Sequence, residues 1–295
     1  MNTFRKVASS AIVLLTVCTV ALAQEKTDNG YNPNSVRPIH ESNIMYKSRV
    51  WRRMDLKEKQ NQPFFSKNNE ITKFLMEGVT SGVLTAYKDD SLTTKLTKEQ
   101  FMANLKMENM DAGLSDEEKK AGFGTKAAAS GDDGWGDTKP AAGGAAAATP
   151  AAPAGEEVYT YNANQLTVLD IMEDAIFDKQ RSRLYFDIQS ITIIIPSNQT
   201  TKGFDVPVAS FKYKELDRYF RSNPKCIYYN AQNQAQHKNM ADAFDLRLFF
   251  ARIRKESNAL DNDLNDIYHG EKQGLIKSQQ AEFKLMEYEH NLWEY

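Results

Sequence analysis

The chain has 295 residues, of which 41% are hydrophobic and 26% charged, with 37 Lys and Arg against 39 Asp and Glu. The formal charge of −2 excludes a broadly basic nucleic-acid binder, and the length suffices for a sizeable core or two. Of its two cysteines, Cys18 falls in a discarded leader, so Cys226 has no partner for an intramolecular disulfide and reads as a small buried hydrophobe.

The chain opens on an export signal over residues 1–23. Arg5 and Lys6 form a positive start, Val7 to Val20 is an apolar run, and Ala21-Leu-Ala23 fits the cleavage pattern ahead of Gln24. The run is about 14 residues, short of the ~20 a membrane-spanning helix requires. Val17 is a poor residue before a lipidated cysteine, which leaves Cys18 inside the leader. Loss of Arg5 and Lys6 takes the formal charge from −2 to −4. The mature protein is expected in the periplasm.

Residues 24–120 read as an extended N-terminal arm and a helical lobe. Asn32-Pro33 and Arg37-Pro38, with few apolar residues before Ile44, give the arm no periodicity. It either packs along a neighbouring subunit or is a disordered leader. Pro63 interrupts any helix, and Phe64-Phe65 dock the turn. Asn68 or Asn69 would cap a helix carrying Ile71, Phe74, Leu75 and Val79. Thr97 with Gln100, and Ser115 with Glu118, look like capping boxes. Residues 121–157 contain 13 alanines, eight glycines and three prolines, so they should form a flexible linker. As a coil that linker would hold two lobes on the order of 35 Å apart.

Residues 158–295 read as an α+β lobe. Leu166 to Asp178 and Leu184 to Ile195 flank the polar turn Lys179-Gln-Arg-Ser182, the pattern of a long antiparallel hairpin, although Val168, Leu169, Met172, Ala175 and Ile176 also suit a helix. Helices are expected from Phe211 to Arg221, from Met240 to about Leu260 with Leu246, Phe249, Phe250 and Ile253 on one stripe, and from about Lys277 to Trp293. In the last, Phe283, Met286, His290 and Trp293 share one face and Leu285, Tyr288 and Leu292 another. A helix apolar on two faces is deeply buried or shared with a partner. The fold class is α+β: a long hairpin or small sheet packed with helices.

The search for chemistry finds little. Histidines 40, 237, 269 and 290 have no metal-ligand spacing. The glycines at 131–136 have no following Gly-Lys-Ser/Thr, and no Gly-x-Ser-x-Gly occurs. Asp132, Asp133 and Asp137 sit in the linker, where a cation would be held loosely. Glu173, Asp174 and Asp178 cluster on one hairpin arm, and spacing alone makes no acid–base pair of them. Residues 47–59 gather Lys47, Arg49, Arg52, Arg53, Lys57 and Lys59 around Trp51. This segment is either a docking face for an acidic partner or lipid headgroups, or a solvated face with Trp51 anchoring the local core.

Several blocks together resemble the gliding-motility GldN/PorN family: Tyr31-Asn-Pro-Asn34, Val36-Arg-Pro-Ile-His40, Arg49-Val-Trp-Arg-Arg-Met-Asp-Leu-Lys-Glu-Lys-Gln-Asn61, Pro63-Phe-Phe65, Phe177-Asp-Lys-Gln-Arg-Ser182, Lys255-Glu-Ser-Asn258 and Leu292-Trp-Glu-Tyr295. Ile191-Thr-Ile-Ile-Ile195 departs from the pattern, since a glycine is expected in that strand. The resemblance implies a structural, non-catalytic component of the type IX secretion system at the inner face of the outer membrane. It implies a ring assembled with a lipoprotein of the GldK/PorK type, with contacts to GldL and GldM or their Por counterparts. No catalytic or cofactor-binding residues carry over and no cofactor is implied. The candidate positions are therefore interface residues: Arg37, Arg49, Trp51, Arg52, Arg53, Phe64, Phe65 and Trp293. The competing readings are an exported hydrolase using Glu173 or Asp178, and a periplasmic ligand-binding module with a pocket between the lobes.

Overall fold

The Arg-rich segment folds as a strand. The computed structural model describes residues 30–107, 160–200 and 203–292. Along the chain run β1 (Ile44–Asp55), β2 (Phe65–Ser66), β3 (Asn69–Glu70), α1 (Ile71–Thr80), β4 (Ala86–Tyr87) and α2 (Lys98–Asn104). Then follow β5 (Val168–Asp178), β6 (Arg183–Ile195), β7 (Val206–Lys212), α3 (Tyr213–Ser222), β8 (Ile227–Tyr228) and β9 (Lys238–Asn239). The last elements are α4 (Met240–Asp245), β10 (Arg252–Glu256), α5 (Leu264–Ile267) and α6 (Glu271–Asn291). The leader, the Ala/Gly/Pro-rich segment 121–157, the Ser115–Glu118 pair and Trp293 lie outside the described residues.

The fold is α+β. One antiparallel sheet in the order β10-β1-β5-β6-β7-β4 carries two small two-stranded ribbons, β2-β3 and β8-β9, and the helices. The expected hairpin is its centre: β5 and β6 pair from Asp178↔Arg183 to Val168↔Ile194, with a bulge between Met172 and Glu173. The β-branched run 191–195 is buried on both faces, which explains its lack of polar alternation. β1 pairs with β5 along its full length, Ile44↔Asp178 to Asp55↔Val168, with a register shift between Ile44 and Tyr46. Residues 30–107 therefore do not form a lobe of their own. Met54, Phe64, Phe74, Leu75 and Phe101 join Leu169, Ile191, Phe211, Phe220 and Phe244 in one apolar cluster. Lys106 and Thr160, on either side of the long intervening segment, are β-bridge partners, and the Tyr161 N–H donates to the Leu105 carbonyl at 2.8 Å.

Several local expectations hold. α1 buries Ile71, Phe74, Leu75 and Val79, and Thr97 and Gln100 form a reciprocal capping box on α2. Others need correction. The N-cap of α1 is Glu70, and Asn68 instead takes a left-handed turn at φ 66°. The Phe211–Arg221 helix begins only at Tyr213, after the unexpected strand β7. The helix from Met240 stops at Asp245, where Arg247 turns at φ 52°. Beyond it burial alternates from Phe249 to Ile253, as a strand on a packed face requires, and β10 pairs with β1. The C-terminal helix starts six residues earlier than about Lys277, at Glu271. Its first turns approach α5 so closely that a Cβ on Gly274 would meet the Asn265 side chain. Among the described residues no helix is long and apolar enough to cross a membrane.

The arm folds back on its own chain. Tyr31 bridges His40, with the two rings edge-to-face at 4.9 Å. Asn32 donates to Gln189 at 2.9 Å, Lys214 donates to the Pro33 carbonyl at 2.9 Å, and Ser35 is buried. Over residues 30–43 it is therefore an ordered segment packed on its own chain. It is a clasp over β5 and β6.

Candidate interaction site

Period-two geometry splits the basic residues of β1 between the two faces of the sheet. Val50, Arg52 and Met54 face the helices, while Lys47, Arg49, Trp51 and Arg53 face the other way with Asp170, Met172 and Asp174 of β5.

On the helical face, Arg52 is almost wholly buried. It donates from Nε to Glu173 Oε1 at 2.5 Å, and from Nη1 to the Ala251 carbonyl at 3.2 Å and to Glu282 of α6 at 2.7 Å. Glu173 is fully buried and also accepts from Arg247 at 2.7 and 3.3 Å. The Arg247 guanidinium lies 4.3 Å from the Phe186 ring and 5.2 Å from that of Phe249. This ionic bridge lies beside both the main apolar cluster and a smaller one of Val50, Ala175, Ile253, Leu264, Ala281 and Leu285 under α6.

On the opposite face the charges form a ladder. Arg49 grips Asp174 through two hydrogen bonds of 2.7 and 3.2 Å, and Lys47 adds a third contact at 3.0 Å. Arg53 grips Asp170 at 2.8 and 3.0 Å and reaches Asp205 at 2.5 Å. Asp170 also accepts from Arg254, which turns to Asp263. The hydrogen bond to Asp174 raises the Arg49 pKa and those to Asp170 and Asp205 raise that of Arg53, where burial works against the shift, while Arg53 lowers that of Asp205. Trp51 donates to Asp90 at 2.6 Å and carries Lys255 4.1 Å from its ring centroid. Two clefts flank the Asp90 loop. One, of about 520 Å³, lies between the clasp and Lys47, Arg49, Asp187 and Gln189. The other, of about 270 Å³, is bounded by Trp51, Asp170, Asp205 and Lys255.

The candidate positions therefore part company. Arg37 is exposed and paired with Asp245, which Arg221 and Tyr213 also engage. Arg49, Trp51 and Arg53 are partly exposed on the polar face. Arg52 and Phe64 are withdrawn into the protein, so in this chain they serve pairing and packing. Phe65 is half-buried, and Trp293 lies outside the described residues. The acids proposed for a hydrolase are spoken for: Glu173 by two arginines, and Asp178 by Arg181 and by the Gln180 N–H of the hairpin turn. Both are fully buried. Among the described residues no group of three or more His, Cys, Asp or Glu is placed to hold a metal ion. Cys226 is buried as expected, and burial pushes its thiol up to about 12.

Sequence reading missed Asp187. Burial pushes its carboxyl up to about 6, against the hydrogen bonds from Ser35 of the clasp and from Gln189; Asp174 adds to the rise and Lys47 opposes it. The unfolded value is near 3.9, so the folded chain holds this proton more tightly. The stability that Asp187 contributes is full below about pH 4 and is lost as pH rises through 6. Asp187→Asn is expected to raise the melting temperature at pH 7 by about 2–4 °C and to change it little at pH 4.5. Calorimetry at the two pH values checks this; an equal change at both would refute the assignment.

Over residues 39–294 the chain matches the family model described as gliding motility associated protein GldN. An α+β protein built on one antiparallel sheet, with its Arg-rich strand locked between acidic partners, is the class of molecule the structure defines. The chain belongs to the GldN family, a component of the gliding machinery. Among curated proteins no match was found.

Proposed function

We propose that the protein is a structural, non-catalytic periplasmic subunit of the type IX secretion and gliding apparatus. It builds a ring-like complex with an outer-membrane lipoprotein of the GldK/PorK type and supports secretion and gliding. GldL- and GldM-type motor proteins are the further partners, and membrane association is indirect. The family match across 39–294 carries this reading. The leader at residues 1–23 supports export, and the ion-paired, buried states of Glu173 and Asp178 oppose a hydrolase built on them. The partly exposed Arg49, Trp51 and Arg53 remain the candidate contact positions on the polar face.

The test is a tagged pull-down from detergent-solubilised membranes of the native cells, sized on a gradient and identified by mass spectrometry. Recovery in a megadalton particle with a lipoprotein at comparable abundance is the expected result. Recovery as a free monomer would overturn the proposal.

A further inference from the structure

α6 presents an apolar seam on the side opposite its packed face. Gly274, Ser278, Ala281 and Leu285 are buried against the body of the protein. On the outer side Ile276, Phe283 and Met286 are 40%, 56% and 59% exposed. With Gln279 they repeat at i, i+3, i+7 and i+10, the a and d spacing of a coiled coil. The sequence continues that spacing at His290 and at Trp293, the latter beyond the described residues. From Ile276 to His290 the seam is about 21 Å long at 1.5 Å per residue. It holds no Asp, Glu, Lys or Arg over that length, an arrangement unlike the singly scattered apolar residues of an ordinary surface.

The charges beside the seam select its occupant. Glu282 and Glu289 flank it on one side and Glu287 on the other. Glu282 shares its charge with Arg52, and Glu289 accepts from the Leu184 N–H. Lys277 and Lys284 lie further round the helix, in b positions, and Lys272 stands at the d position before Ile276. A second copy of α6 would bring glutamates against glutamates in either orientation, and an anionic lipid surface would repel the same rims.

We propose that this seam docks an amphipathic helix of a different protein, one whose own apolar seam is flanked by Lys or Arg. The contact goes beyond the ring assignment, because it rests on the exposure and charge of α6 and holds whichever machine the partner belongs to.

The experiment places a photo-crosslinking benzoylphenylalanine at Phe283 of the full-length chain in its native cells, and maps the crosslinked peptides by mass spectrometry. The exposed site tolerates the aromatic replacement. The expected product joins Phe283 to one peptide of another protein, with a heptad apolar pattern and basic e and g positions. The double variant Phe283→Glu/Met286→Glu should then lose at least tenfold of that partner in pull-down while melting within about 2 °C of the parent. A crosslink to residues 271–291 of a second copy, a crosslink to lipid, a partner peptide with acidic flanks, or no crosslink would each overturn the proposal.

Discussion

Glu173→Ala is expected to lower the unfolding free energy by about 3–5 kcal/mol. The reason is asymmetry. Glu173 is fully buried and accepts from Arg52 and Arg247 together, so its removal leaves one nearly buried guanidinium and one partly buried one facing each other. Glu282 meets only Arg52, and is itself partly exposed. Glu173→Gln keeps an acceptor without the charge and should fall between parent and alanine. Replacing Arg52, Glu173 and Arg247 together with apolar residues of similar volume should recover most of the loss, because an absent buried ion group costs less than a broken one. Chemical denaturation with an unchanged m-value measures all of these. A loss under 1 kcal/mol for Glu173→Ala would mean that water or other side chains already compensate the arginines.

Phe64→Ala is expected to cost about 3–5 kcal/mol, which is about 8–15 °C in melting temperature for a chain of this size. Phe64 is fully buried between Tyr228 and Phe244, at ring separations of 4.9 Å from each. The half-buried Phe65 should cost less than half as much when truncated. The pair separates two roles that its sequence context leaves joined. If Phe64 were a contact residue, its alanine variant would keep its melting temperature and lose a partner; thermal denaturation of the purified protein decides between them.

Legibility followed locality. The β5–β6 hairpin was readable because a β-branched run, a polar turn and a second apolar run are contiguous, and Asp178 closes that turn within a few residues. α1 and the Thr97 box were readable for the same reason. β1 was not, because Arg49 and Arg53 find their carboxylates 125 and 117 residues away. Read locally, residues 47–59 are a basic surface; folded, Lys47, Arg49, Arg52 and Arg53 are paired with carboxylates of β5. β7 was hidden by Pro207, which the sheet tolerates where the β6–β7 register shifts between Ile193 and Ile194. From Met240 onward the apolar spacing also fits period 3.6, and only the left-handed turn at Arg247 converts it to a strand. The ambiguous two-faced pattern of the last helix resolves into Leu285 inward and Phe283 and Met286 outward.

The bridge between Lys106 and Thr160 makes the intervening stretch an insertion between neighbours rather than a tether between bodies. Both of its stems are held by the sheet protein itself, so its length is nearly free of thermodynamic consequence: doubling a loop adds only about 0.6 kcal/mol of closure entropy. Evolution and the experimenter gain the same licence from this. Changing the length of that stretch is expected to leave the register of β1 on β5 where its ion pairs hold it, and thermal denaturation of length variants checks this.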